Sequence, residues 1–305
     1  MEDTSVKTAM KTLKAKKSNY LKKRDILKIK TIVGEKKVEK VYPTTKIIEA
    51  LTMMDKENVR RICVADPGTG RVEGILTNMD IVDFLGGGSK YNLVKFKHNH
   101  NMLSAINEPV KEIMTDNVVL IKENVELDEV IDLFVKKKIG GMPVIDKSGV
   151  LITTINERDV IKYLKDQVDE KLLVKDCMTE NVVFATPGER LKDVARTMLR
   201  NGFRRLPVVS EEKLVGIITS TDFVKLFGSD WAFNHMKTGN IREITNVRIQ
   251  DIMKTNIVSV TSNIKLVDAI KKMNELNIGV LPVVDGEKLI GLITEKDIVK
   301  CIYKK

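Results

Sequence analysis

Four stretches of the chain carry the same run of apolar and polar positions. Each opens with a short β-branched segment of strand composition: Val38 to Val41, Val118 to Ile121, Val182 to Ala185 and Ile257 to Val260. Six residues after the end of each segment comes the first apolar anchor of a helix, at Ile47, Leu127, Leu191 and Leu266. In the fourth stretch Leu266, Ala269, Ile270, Met273 and Leu276 recur at steps of three and four, which puts them on one helical face that must bury against a sheet. A second strand is expected at Ile62 to Val64, Met142 to Ile145, Leu206 to Val209 and Leu281 to Val284. A third follows at Gly74 to Leu76, Leu151 to Thr153, Gly216 to Ile218 and Gly291 to Ile293. Each copy closes with a polar step into a last helix, Thr77 to Asp80, Asn156 to Asp159, Thr219 to Asp222 and Thr294 to Asp297. The predicted unit is β-α-β-β-α, in the α/β class, repeated four times.

A higher-order duplication overlies this pattern, since Asp80 and Asp222 are 142 residues apart and Asp159 and Asp297 are 138 apart. About 33 residues join Asp80 to Ile113-Met114 and about 30 join Asp222 to Ile252-Met253, against about 18 from Asp159 to Cys177-Met178. Copies 1 and 2 therefore form one unit and copies 3 and 4 another. One small module buries too little apolar surface to stand alone, so pairing within each unit is expected. The division is a basic arm over 1–30, repeats over 31–92 and 93–168, and repeats over 169–230 and 231–305. The second and fourth include linker helices, near Tyr91 to Phe96 and Trp231 to Phe233.

Composition changes this picture little. A 305-residue chain with 43% hydrophobic residues has ample material for cores. It has no apolar run long enough to span a membrane and no secretory signal pattern, so a cytoplasmic protein is expected. The net charge of +10 is lopsided: residues 1–30 hold ten Lys or Arg against three acids, a surplus of seven that leaves three for the rest. Cys63, Cys177 and Cys301 are far apart, without C-x-x-C spacing, and read as reduced, mostly buried residues. No nucleophile and base recur at catalytic spacing, so no enzyme is expected. Gly86-Gly87-Gly88-Ser89-Lys90 lacks the spacing of a phosphate loop and follows a helix, so it reads as a helix stop and flexible linker. His98, His100 and His235 do not form a metal-site pattern, and no metal is expected.

The Ile-Met or Met-Thr opening, the Leu-Pro-Val-Val strand and the Gly-Ile-Ile-Thr-x-x-Asp close resemble cystathionine-β-synthase (CBS) domains over residues 31 to 305. Four copies with nothing else of domain size resemble the γ regulatory subunit of AMP-activated protein kinase and its archaeal relatives. The resemblance implies two Bateman modules in a flattened disk, with nucleotide clefts between paired repeats.

A carboxylate at a helix start suits the two hydroxyls of a ribose, and Asp80, Asp159, Asp222 and Asp297 occupy that place. Three residues earlier, Thr77, Thr219 and Thr294 stand near exposed helix N–H groups that favour phosphate, with Asn156 in copy 2. Ser or Thr followed three residues later by an acid is also a capping box, which merely starts a helix. A capping box prefers Glu or Gln at that position, whereas all four copies carry Asp. Guanidinium groups grip phosphate best, and Arg60-Arg61 and Arg204-Arg205 precede the second strand in copies 1 and 3. Copies 2 and 4 have Gly140-Gly141 and Gly279-Val280 there, which supply no charge.

By the resemblance, Arg60 and Arg61 would serve the Asp159 site, and Arg204 and Arg205 the Asp297 site. Those two sites would then hold phosphorylated ligands best. Arg158 and Lys296 are further phosphate candidates. The strand-end residues Val41, Ile121, Ala185 and Val260 either line base pockets, as the family position implies, or pack in the core. The expected ligands are AMP, ADP or ATP, with no required cofactor. S-adenosylmethionine or methylthioadenosine is an alternative that the paired arginines disfavour, since neither has a phosphate. A second alternative is nucleic acid bound through the basic arm. A regulated partner protein and a homodimer are the protein assemblies considered, and no membrane contact is expected.

Overall fold

A computed structural model describes residues 29–304 apart from Glu35 and Lys37. The basic arm, except for its last two residues, lies outside the described residues. A short helix α1, Ile29–Val33, precedes the first repeat. Repeat 1 comprises β1 (Lys40–Val41), α2 (Ile47–Lys56), β2 (Arg61–Ala65), β3 (Val72–Thr77) and α3 (Asn78–Gly86). Repeat 2 comprises β4 (Ile121–Lys122), α4 (Leu127–Lys137), β5 (Gly141–Ile145), β6 (Leu151–Asn156) and α5 (Glu157–Leu164). Repeat 3 has α6 (Leu191–Asn201), β7 (Arg205–Ser210), β8 (Lys213–Thr219) and α7 (Ser220–Gly228). Repeat 4 has α8 (Leu266–Glu275), β9 (Val280–Asp285), β10 (Lys288–Thr294) and α9 (Glu295–Lys304).

The first strand of each repeat is shorter than its composition suggested. It pairs parallel to the second over two residues in repeats 1 and 2 and shrinks to single bridges, Ala185 to Val208 and Val260 to Val283, in repeats 3 and 4. The second and third strands pair antiparallel in every copy. Leu266, Ala269, Ile270 and Met273 bury as the helical period requires, while Leu276, just past the last turn, is exposed.

Two kinds of contact tie the repeats together. Sheet edges join within each pair: Arg71 bridges Val150 between repeats 1 and 2, and β8 meets β10 between repeats 3 and 4. The segments that open repeats 2, 3 and 4 cross to the pair partner's sheet. Thr115 exchanges two 2.9 Å backbone hydrogen bonds with Ile75, Thr179 pairs with Leu292, and Lys254 pairs with Ile217. The methionines in these segments fill the space above glycines, Met114 on Gly74, Met253 on Gly216 and Met178 on Gly291, where a Cβ would collide with the sulfur. The opening Met-Thr and Ile-Met motifs are thus the clasp of each pair.

Helices make the other contact, across the pairs. α2 and α3 of repeat 1 pack on α6 and α7 of repeat 3, and α9 of repeat 4 packs on α4 and α5 of repeat 2. The cores divide accordingly. One is built mainly from repeats 1 and 3, including Phe84, Phe223 and Phe227, with the linker segments that follow them, and the other mainly from repeats 2 and 4, including Phe134. Fully burying each such side chain contributes roughly 1.5–3 kcal/mol, so the two pairs are fused through their hydrophobic interiors. Among the described residues no helix is long and apolar enough to cross a membrane.

Two of the three cysteines depart from expectation. Cys63 is free and buried, and burial pushes its thiol up to about 12. Cys177 and Cys301, read from sequence as reduced, form a disulfide with Cα atoms 5.6 Å apart. The pairing was hidden because the partners are 124 residues apart and meet only when the opening segment of repeat 3 lies on repeat 4. Cross-linking so long a loop restricts the unfolded chain. Cys301→Ser is expected to lower the unfolding free energy by about 2–4 kcal/mol under oxidising conditions and to leave it unchanged in excess reductant, measured by urea titration.

Candidate functional site

The four helix-start carboxylates perform two tasks at once. Oδ2 of each closes the capping box: it accepts from Thr77 N at 2.6 Å, Asn156 N at 2.9 Å, Thr219 N at 2.7 Å and Thr294 N at 3.0 Å. The hydroxyls of Thr77, Thr219 and Thr294 also donate to that oxygen, so their protons are already committed within the box. These threonines, named from sequence as phosphate candidates, thus close the helix starts; Asn156 likewise caps through its side-chain oxygen, 3.0 Å from Asp159 N.

In three copies the other oxygen faces the interface. Asp80 Oδ1 receives Thr115 at 2.9 Å and the Lys90 ammonium. Asp222 Oδ1 lies 3.1 Å from Lys254, and Asp297 Oδ1 accepts from Thr179 at 3.3 Å. Lys36 reaches Asp159 through Oδ2 at 3.2 Å. Asp297 alone has no ammonium within ion-pair distance among the described residues.

Asp297 also borders a cavity of about 260 Å³. Arg204, Arg205, Thr294 and Lys296, all named from sequence, line it together with Asp297. Its apolar wall is Val182, Val183, Phe203 and Leu292. Lys138 and Glu157 reach it from repeat 2, and Lys300 from α9. Of the two readings for the strand-end residues, core packing is seen: Val41, Ile121, Ala185 and Val260 are buried and paired with the second strands. The apolar wall begins two to three residues before Ala185, because the chain there has not yet entered the sheet.

The arginine pairs converge on the centre of the molecule. The glycines of repeats 2 and 4, which stand where repeats 1 and 3 carry arginine, provide the room. A Cβ on Gly140 would collide with the Arg204 guanidinium, and one on Gly141 with that of Arg61. A Cβ on Gly279 would collide with Arg60 and Glu295. In each pair one arginine serves its own module and the other crosses the molecule. Arg61 lies against Gly141, and Arg205 donates to the Gly279 carbonyl. Arg60, which the resemblance assigned to the Asp159 site, pairs with Glu295 at 2.7 Å. Arg204 lies 3.6 Å from Glu157 while bordering the Asp297 cavity. Arg158, a further phosphate candidate, donates from its Nε to Glu295 Oε1 at 2.6 Å.

Glu157 and Glu295 were not singled out from sequence. Their signal is complementarity: the copies with glycines before the second strand have Glu at the first position of the last helix, whereas the arginine copies have Asn78 and Ser220. Both glutamates are buried, yet they titrate in opposite directions. Burial raises Glu157, with Arg204 opposing it only from 3.6 Å. Burial also acts to raise Glu295, but Arg60 and Arg158 at hydrogen-bond distance outweigh it and hold the carboxyl below its usual range. Burial brings Arg61 and Arg205 down to about 10, each further lowered by a neighbouring guanidinium. Burial also lowers Lys296 at the cavity edge. Five guanidinium groups face two carboxylates here, a concentration of positive charge suited to an anion.

The CBS-domain family model matches residues 29–87, 110–166, 174–229 and 249–304. The chain belongs to the CBS-domain family. Protein MJ1225 of Methanocaldococcus jannaschii is 55% identical over 275 residues, covering 90% of this chain and 98% of its own. Its crystal structure, put forward as that of an archaeal homolog of γ-AMPK, superposes with a TM-score of 0.86 over 90% of this chain and 99% of its own. A 33.4 kDa protein in the ribosomal RNA operon of Thermofilum pendens is 28% identical over 85% of each chain. A conserved protein from Pyrococcus horikoshii shares the fold at 20% identity, with a TM-score of 0.56 over 90% of this chain and all of its own. The centre of the four-CBS assembly is therefore a meeting of charges from all four repeats, with CBS 1 and CBS 3 supplying the arginine pairs and CBS 2 and CBS 4 the glutamates.

Glu295 is the anion that holds Arg60 and Arg158 in place. Because its folded pKa is depressed, its contribution is full above about pH 4.5 and is lost as pH falls through the lower folded value. Glu295→Gln is expected to cost about 3 kcal/mol at pH 7, with the deficit narrowing below pH 4.5, measured by denaturant unfolding at a series of pH values.

Proposed function

We propose that this protein is a non-catalytic regulatory module that binds adenine nucleotides, with the cleft at Asp297 as its principal site. The observation that carries the reading is one cavity bordered by an open carboxylate, two arginines and an apolar wall. Asp297 offers an oxygen to ribose hydroxyls, since among the described residues its side-chain partner there is a long hydrogen bond from Thr179. Arg204 and Arg205 stand at the inner end, where a phosphate would meet them and Lys296. Val182, Val183 and Phe203 form a surface for a purine face.

The likeness to a protein put forward as a γ-AMPK homolog supports the same reading. Its regulatory consequence follows from position. The cleft lies between CBS 3 and CBS 4 and is reached by side chains of CBS 2, so a bound anion would bear on the arrangement of both modules. A thioether nucleoside lacks the phosphate that these arginines would meet, so S-adenosylmethionine and methylthioadenosine fit the cleft less well.

Isothermal titration with AMP, ADP, ATP and S-adenosylmethionine tests the proposal. Arg204→Ala and Asp297→Asn should each weaken nucleotide binding at least tenfold, about 1.4 kcal/mol, while Asp222→Asn leaves the affinity of this site unchanged. Equal losses in Asp222→Asn and Asp297→Asn, or tighter binding of S-adenosylmethionine that ignores Arg204→Ala, would overturn it.

A further inference from the structure

The Gly86–Lys90 segment, read from sequence as a flexible linker, is a built loop. Helix α3 ends in Gly87, whose φ of +90° lies in the left-handed region that favours glycine. One turn earlier, Asp83 turns its carboxylate onto the loop. It accepts from Lys90 N at 2.8 Å and from the Ser89 hydroxyl at 3.3 Å, and a Cβ on Gly88 would collide with it. The loop is thereby fixed so that the Lys90 side chain enters the junction between CBS 1 and the opening segment of CBS 2.

There the ammonium meets three oxygen acceptors: Asp80 Oδ1, the Ile113 carbonyl and, at 3.4 Å, Thr115 Oγ1. These match its three donors. Thr115 also donates to the same Asp80 oxygen at 2.9 Å, and the other Asp80 oxygen is held in the capping box. The carboxylate has been satisfied from within the chain.

The lysines that reach the aspartates of CBS 2 and CBS 3 are more exposed. Lys254 beside Asp222 is 51% exposed and Lys36 beside Asp159 is 33% exposed, whereas Lys90 is 18% and Asp80 8%. An exposed lysine can swing into water as a ligand arrives. Displacing Lys90 would separate a mostly buried ion pair, whose partners are costly to leave uncompensated.

We infer that Lys90 is an internal cation that plugs the Asp80 cleft and withholds it from ligand, so that a loop lysine sets how many of the four clefts can fill. The identity of the excluded ligand rests on the adenine-nucleotide reading, but the plug itself does not. Two measurements on the full chain separate them.

The first is calorimetric stoichiometry with AMP. Lys90→Met, which keeps the apolar stem and removes the charge, should bind one more AMP per chain than wild type, and adding Asp80→Asn should abolish the gain. Where the wild type binds AMP, unchanged stoichiometry in Lys90→Met would overturn the proposal. The second is acetylation by a water-soluble N-hydroxysuccinimide ester, followed by peptide mass spectrometry without nucleotide. Lys90 should react at least tenfold more slowly than Lys254, and the difference should disappear in Asp80→Asn. Equal rates in the wild type would overturn the plug whatever the protein binds. Protection of Lys90 in a protein that binds no adenine nucleotide would uphold the plug and reject the nucleotide reading.

Discussion

Everything at the centre of this molecule depends on one steric exchange: arginines from CBS 1 and CBS 3 occupy volume that glycines in CBS 2 and CBS 4 leave empty. The guanidinium groups of Arg60, Arg61 and Arg204 come so close to Gly279, Gly141 and Gly140 that any side chain there would collide with them. Repulsion among so many like charges is offset by Glu157 and Glu295, which arrive at the starts of the last helices of the glycine-bearing repeats. The four repeats are thus not interchangeable. They alternate between one type that supplies cations and one that supplies room and anions, and the alternation fixes which repeat faces which.

The same logic of divided labour applies to the helix-start aspartates. Capping and ligand contact looked like competing readings, because both need an acid three residues after a polar one. Capping occupies one carboxylate oxygen and leaves the other for a second partner. Oδ2 secures the helix start, and in CBS 1, CBS 3 and CBS 4 Oδ1 points to the segment that crosses from the paired repeat. What distinguishes the clefts is therefore not the aspartate, which all four share, but what the neighbouring chain places on it. A threonine hydroxyl leaves Asp297 open, while a lysine held by the Asp83 loop covers Asp80.

The repeat, the β-α-β-β-α order and the pairing of copies 1 with 2 and 3 with 4 were legible in the sequence, because each rests on local periodicity or on linker length. So were five residues of the Asp297 cavity. The apolar wall was misplaced by a few residues, since the first strand is reduced to a single bridge at Ala185 and its β-branched approach lies outside the sheet. The glycines before the second strand were read as missing charge, when their function is absence of volume. A single sequence reports the type of residue at a position but not what a distant segment brings against it. The Cys177–Cys301 bond and the seating of Lys90 were invisible for the same reason.

The sequence by itself determined which residues are equivalent and which chemical groups each repeat brings, because backbone periodicity and residue type are local properties. Tertiary structure alone decided how those groups combine: which arginine stays within its module and which crosses, and which aspartate is left open. Those outcomes depend on distances of a few ångströms between segments more than a hundred residues apart, and only packing two modules through shared hydrophobic cores brings such segments into register.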